Sequence, residues 1–398
     1  MRVAAACAVL LCLLGIGFVV WSPFEARPDT ASGSVSADPA DRALQDRLTE
    51  LAAAWNPRKK RRSVEEARAR LDLLRAPLLR LLDKPRHPRL SAAMYLASEL
   101  ALPEARPVLV GLTRTAARAL RAEAVMAAAA IEALSVDEVR DLLARDDVGV
   151  RIATLHCLAR SPSEELFHDV VALLADPDPD LRTAAVEALP RKVSAKHHAE
   201  ALERARASAG TDKACYVRAL GRIGLDEASE RFVTERLWDE AEEVRVAALL
   251  ALSEATTKLL EARPVLELVS GDVAEREAAL ALYCLERTKS CTAIDVRNRL
   301  GFLSSPLAKF FAARFLIRAG DKEGASTLVQ VLEGSAASER SPQSQALDAA
   351  TRKLLNLLYG QPLNWNAEQW RDYLMAAPAF SARELEGLSA TDLRAFGL

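Results

Sequence analysis

Six cysteines, five histidines and one run of cations are the residues whose chemistry has to be asked about first. Cys7 and Cys12 lie in an apolar N-terminal run, while Cys157, Cys215 and Cys284 fall on apolar stripes of helical period, where a thiol serves as a small buried hydrophobe. Cys284 and Cys291 are near enough in sequence to pair across one inter-helix turn in an oxidising compartment. Spacing alone leaves that pairing open, because a disulfide needs a specific geometry. His197 and His198 are adjacent, so on a helix they diverge by about 100° and cannot grip one ion from a single face. No CxxC, HExxH, GxSxG, phosphate loop or glycine-rich dinucleotide turn occurs. This reading names no catalytic, cofactor-binding or metal-ligating residue.

The cation run is Arg58, Lys59, Lys60, Arg61 and Arg62. The formal charge of the whole chain is −2, yet twelve Lys or Arg face four Asp or Glu between Ala54 and Leu90, a local excess of +8. Two readings are open. One is a patch for anionic lipid headgroups, a polyanion or nucleic acid; the other is a solvated cap or linker.

The elements that must carry these residues are legible from one stretch, Asp176–Arg191, reading DPDPDLRTAAVEALPR. Asp-Pro-Asp-Pro fixes φ at the prolines and supplies capping oxygens. Leu181, Ala184, Ala185, Ala188 and Leu189 then fall at i, i+3, i+4, i+7 and i+8, one helical stripe. The basic residue just after the first apolar position recurs as Arg89, Arg121, Arg151, Arg182, Lys213, Arg245, Arg276 and Lys309, at gaps of 32, 30, 31, 31, 32, 31 and 33 residues. Three residues further on stand Ala92, Ala124, Ala185, Ala248, Ala279 and Ala312, with Thr154 and Tyr216 as exceptions. A small side chain there lets neighbouring helices approach closely. Another helical stretch precedes each stripe, and its opener EARPVL occurs at Glu104–Leu109 and Glu261–Leu266. Each unit is therefore a helix–turn–helix of about 31 residues.

The pattern D-x-x-V-R-x-A-A-x-x-A-L resembles HEAT repeats, in particular the short bacterial subtype similar to phycobilisome lyase repeats. The resemblance covers Pro88 to Gly334. It implies an all-α fold, a right-handed α-solenoid of about eight stacked two-helix repeats with helical caps. It also implies a ladder in which the turn acid and the helix base pair between repeats, carried here by Asp180 with Arg182 and Glu243 with Arg245. Arg89, Arg121, Arg151, Lys213, Arg276 and Lys309 are the remaining ladder positions.

Outside the repeats, residues 1–24 hold an uncharged apolar run from Val3 to Trp21, long enough to cross a bilayer as a helix. Arg2 precedes it, and Glu25 and Asp29 outweigh Arg27 after it, which orients the N-terminus inward and the rest outward. A cleaved signal peptide is the rival reading. Residues 25–41 read as a flexible tether, 42–87 as an N-terminal helical cap with the basic segment, 88–334 as the repeats and 335–398 as a C-terminal helical cap. That cap concentrates Trp365, Trp370 and Tyr373, which either seal the last layer or form a ligand cage; Ser389 and Asp392 fit a capping box.

The functional expectation is a membrane-tethered, extracytoplasmic scaffold binding a protein partner on its concave face, or a secreted one if the N-terminal run is cut. It needs no cofactor, and nucleic acid is an unfavoured partner. The alternatives are a lyase-like or nucleic-acid-acting HEAT enzyme, which would need a cytosolic chromoprotein or DNA, and binding of a polyanion or lipid headgroups through Arg58–Arg62.

Overall fold

The computed structural model describes residues 38–53, 56–255, 258–270, 273–337, 341–377, 393, 395 and 396. Among them the chain is all-α, with twenty-one α-helices and no strand. They fall into two compact units, one within 22–193 and one within 194–398. The apolar run Val3–Trp21, the tether to residue 37 and the Ser389–Asp392 box lie outside the described residues.

The first unit contains α1 (Pro39–Ala53), α2 (Pro57–Arg68), α3 (Leu71–Leu82), α4 (Leu90–Glu99), α5 (Arg106–Thr115), α6 (Arg118–Ile131), α7 (Val136–Leu143), α8 (Val148–Arg160), α9 (Phe167–Ala172) and α10 (Pro179–Ala188). The second contains α11 (Ala195–Ala207), α12 (Gly210–Ile223), α13 (Glu227–Glu235), α14 (Glu242–Ser253), α15 (Arg263–Ser270), α16 (Glu275–Thr288), α17 (Ala293–Arg297), α18 (Pro306–Arg318), α19 (Glu323–Ala337), α20 (Pro342–Tyr359) and α21 (Ala367–Ala376).

Capping chemistry sets many of these boundaries. Asp147 accepts from the amides of Gly149 and Val150 to start α8, and Asp178 accepts from Asp180 and Leu181 to start α10, with Pro179 at the position where a missing N–H costs nothing. Ser135 with Glu138, and Asn366 with Gln369, close reciprocal capping boxes on α7 and α21. Gly360, at φ 69°, ends α20 in the left-handed region that glycine enters without penalty.

Within each unit the packing is sequential. The helices α4, α6, α8 and α10 form one row of neighbours, and α12, α14, α16 and α18 form another. Each helix in a row also packs on the helix before it in sequence: α5 on α6, α7 on α8, α11 on α12, α15 on α16. The helix α3, inside the segment 42–87, packs on α4 in the same way. The eight basic positions lie one on each row helix or at its N-cap. The residue three further on is buried in all eight, Thr154 and Tyr216 included.

The helices α12 and α14 approach closely. A Cβ added at Gly221 would lie 2.4 Å from the Cα of Ala251, a backbone atom that cannot swing aside. Gly111, in the interior of α5, has nothing within 4 Å of its virtual Cβ. The two glycines therefore predict opposite signs for one substitution. Gly111→Ala gains about 0.5–1 kcal/mol from helix propensity. Gly221→Ala loses about 1–3 kcal/mol because overpacking outweighs the same gain. Urea unfolding of both variants against the parent checks the reversal.

Candidate interaction surfaces

The basic positions of the row helices hold the turns of neighbouring repeats. Arg151 on α8 donates to the Asp176 carboxylate at 2.9 Å, both side chains largely buried, and Lys213 on α12 donates to Asp239 at 3.3 Å. Arg121 lies 3.6 Å from Asp147. Arg245 donates to Glu277 through two nitrogens, at 3.1 and 2.7 Å, and this hydrogen-bonded pairing raises the guanidinium pKa further above its ordinary value. Arg89 donates to the backbone and side-chain oxygens of Gln45 on α1. Arg276 is exposed, and Lys309 is half-buried with no ion pair among the described residues.

The acids differ from those carried over by resemblance. Asp180 and Glu243 are exposed, and the structure pairs neither with Arg182 or Arg245. Arg182 instead donates to the carbonyls of Asp176 and Pro177, and Arg245 to those of Asp239 and Glu240, pinning the turn just before its own helix. The reason is geometric. Asp180 and Glu243 sit within the first turn of the same helix as their supposed partner, where side chains two residues apart do not face each other. Asp176 and Asp239 sit six residues before the Arg, at the start of the turn, and their carboxylates also accept from Asp178 and Ala241 amides. Asp-x-x-x-x-x-Arg, repeated at Asp176 and Asp239, is the signal that could have located them.

A second ladder runs through the first helices of the first unit. Arg75 pairs with Glu104, Arg106 with Glu138 at 2.7 Å, and Arg140 with Asp169 at 3.1 Å. The repeated opener EARPVL thus has two fates. Arg106 reaches the next first helix, whereas Arg263 is nearly fully exposed and, among the described residues, pairs with Glu267 on its own helix.

The row helices of the second unit also share charges along their C-terminal halves. Arg218 on α12 meets Glu254 after α14 at 3.1 Å. Glu286 on α16 is held by Arg314 at 3.1 Å and Arg318 at 3.2 Å, both on α18, with Glu286 and Arg314 buried. Truncating one member of such a buried pair strands the other, at a cost of about 3–5 kcal/mol. In the first unit, burial raises the carboxyl of Glu123 on α6 above its usual range, against a lowering effect of Ser91 on α4. Met126 and Cys157 touch through sulfur at 3.5 Å.

Among the described residues Cys157, Cys215, Cys284 and Cys291 form no disulfide, and burial pushes Cys157 up to about 11 and Cys291 up to about 12. His197 and His198 diverge: the buried His198 ring bonds the Gly224 carbonyl at 2.6 Å and lies 3.2 Å from Asp226, joining α11 to the loop before α13. Among the described residues no three His, Cys, Asp or Glu side chains converge at metal-binding distance. Trp365, Trp370, Tyr373 and also Tyr359 form one cluster, with ring centroids 5.2 to 6.4 Å apart and edges against faces. Trp370 is fully buried among the others. Rings packed onto one another in this way seal α20 to α21 and leave no space between faces for a cation.

The cations Arg58–Arg62 occupy the first turns of α2, after the Asn56 cap. Arg58, Lys59, Arg61 and Arg62 are exposed, and Arg62 bonds Glu66 at 2.8 Å. Lys60 turns inward, 5.9 Å from the Tyr95 ring of α4, and burial lowers its pKa. Among the described residues no helix is long and apolar enough to cross a membrane. No family model and no curated protein matches this chain.

Two measurements check the ladder and the seam. Arg106→Ala should cost about 1–2 kcal/mol, since both partners are mostly shielded from water, while Arg263→Ala should change stability by less than about 0.5 kcal/mol. For Glu123, a carboxyl whose folded pKa is raised binds its proton more tightly in the native state. Its contribution is present below the unfolded pKa and lost as pH rises through the raised value. Glu123→Gln should therefore gain stability relative to the parent as pH rises above the ordinary carboxyl value of 4.5; a difference that stays flat with rising pH would show that burial does not govern the group.

Proposed function

We propose that the chain is a membrane-tethered scaffold of HEAT-like repeats, a right-handed α-solenoid on the outer side of the membrane that binds a protein partner along its second helices. The observation that carries the reading is the pair of unbroken rows, α4–α6–α8–α10 and α12–α14–α16–α18, each helix packed on the next. Stacked repeats of this kind present an extended surface to which many side chains contribute. Exposed charges stand on both rows, among them Arg160 on α8 and Arg287 on α16. The tether rests on the apolar run Val3–Trp21 and the charge balance on either side of it.

The test is capture of partners from solubilised envelope by the full chain, alongside an Arg160→Glu, Arg287→Glu variant whose thermal unfolding matches the parent. One dominant envelope protein, reduced at least about tenfold in the variant, is the expected result; two charge reversals at a contact are worth that much. Capture unaffected by the variant would remove this face from consideration. A retained nucleic acid or pigmented protein would instead favour the enzyme readings and invert the topology.

A further inference from the structure

The helix α2 is amphipathic in an unusual sense. At about 100° per residue, Ser63, Ala67, Lys60 and Val64 share one side, and three of these four are buried. The fourth, Lys60, lies on the same side and is drawn toward Tyr95. Arg61, Arg58, Arg62 and Lys59 then fan across an arc of about 160° centred directly opposite Lys60. All four are exposed, and among the described residues only Arg62 has a carboxylate, the Glu66 on the next turn.

The rest of α2 is held firmly in place. Arg47 on α1 donates to Glu66, and Arg68 donates to the Glu99 carbonyl at the end of α4 at 2.9 Å. The cationic arc is therefore presented by a docked helix rather than by a loose segment. It belongs to the end of the unit nearest the chain's N-terminus, because α2 packs on α1, and α1 begins one residue after Asp38. Sixteen residues separate Trp21 from Asp38, a distance of at most about 60 Å when fully extended.

We infer that the outward face of α2 binds the headgroups of anionic phospholipids in the membrane that holds the N-terminal run. Charge complementarity selects an anion. Tethering selects the membrane surface among anions, since a surface within reach is present at high effective concentration. The cations contact phosphate oxygens as a group, without a pocket or a fixed stoichiometry, as juxtamembrane polybasic segments do. This inference rests on the tether of the proposed function only for the choice of partner.

The experiment uses the full chain with bilayer discs of phosphatidylcholine alone or containing phosphatidylglycerol, read by hydrogen–deuterium exchange of residues 57–68. Slowing of about tenfold in the anionic discs, abolished by high salt, is the expected result. In an Arg58→Gln, Lys59→Gln, Arg61→Gln, Arg62→Gln variant, exchange should be the same in both disc types. Equal exchange of the parent in both disc types would overturn the inference, and so would slowing by a DNA duplex without slowing by phosphatidylglycerol. Failure of the tether reads out separately, as a chain that phosphatidylcholine discs do not retain. Retention by anionic discs alone, lost in high salt, would keep the headgroup contact and remove the anchor.

Discussion

Two helices can pack only as closely as the side chains between them allow, and in this chain the distance between neighbouring row helices is the constraint on which the remainder depends. Ala at the position three after the basic residue, and Gly221 against Ala251, bring the backbones near one another. Once that spacing is small, the interior is filled by Leu, Val and Ala, which is why an aromatic content of only 5% suffices for a core that spans so many helices. Several of the larger rings cluster on the last row helix and beyond it. Phe310 and Phe311 stand against Phe396, at 5.4 and 6.1 Å, and the Trp365–Trp370–Tyr373 cluster closes α20 on α21.

The two ladders follow from the same spacing. A long Arg side chain on one helix reaches a carboxylate about one repeat onward because the helices are close and nearly in register. On the row side Arg151 reaches Asp176, and on the first-helix side Arg106 reaches Glu138. Ties on both sides of a layer resist its rotation about either. Where a ladder rung is missing, the guanidinium is used within its own turn, as at Arg182. The buried Glu286–Arg314 pair has a different logic. Its net contribution to stability is small after desolvation, yet any slip of α18 against α16 would leave one charge stranded. It therefore fixes register more than it adds stability.

The helices and their period could be read because apolar stripes and prolines are local signals. Leu181, Ala184, Ala185 and Ala188 are all buried, and the pattern of one helix is enough to place them. Ion-pair partners were less legible, since pairing depends on which residue of a turn faces the neighbouring layer. Asp180 is closer in sequence to Arg182 than Asp176 is, yet only Asp176 lies at the turn's start, where its side chain meets Arg151 from the preceding layer. Glu286 and Arg314 were missed for a related reason. Each looks like a charge at the edge of a stripe, and only packing of α16 on α18 shows that the two edges coincide. The aromatic cluster was recognised from composition, but its role needed the ring geometry.

Most helices here place charge as the macrodipole prefers. The helix α7 opens with Asp137 and Glu138 and carries Arg140 in its last turn, and α16 opens with Glu275 and Glu277 and closes with Arg287. The helix α2 departs from this order at its start, with no acid in its first turn and five consecutive cations over its first two turns, although Arg68 in its last turn follows it. Each misplaced charge costs about 0.3–1 kcal/mol, and the cations repel one another as well. Folding gains little from Arg58, Lys59 and Arg61, since the contacts that dock α2 are made by Arg47 and Arg62 on Glu66, by Arg68 and by the buried side of the helix. Substituting Arg58, Lys59 and Arg61 would relieve the repulsion without disturbing those contacts. A local rule broken without any compensating gain in packing is best understood as a feature retained for what it meets outside the fold.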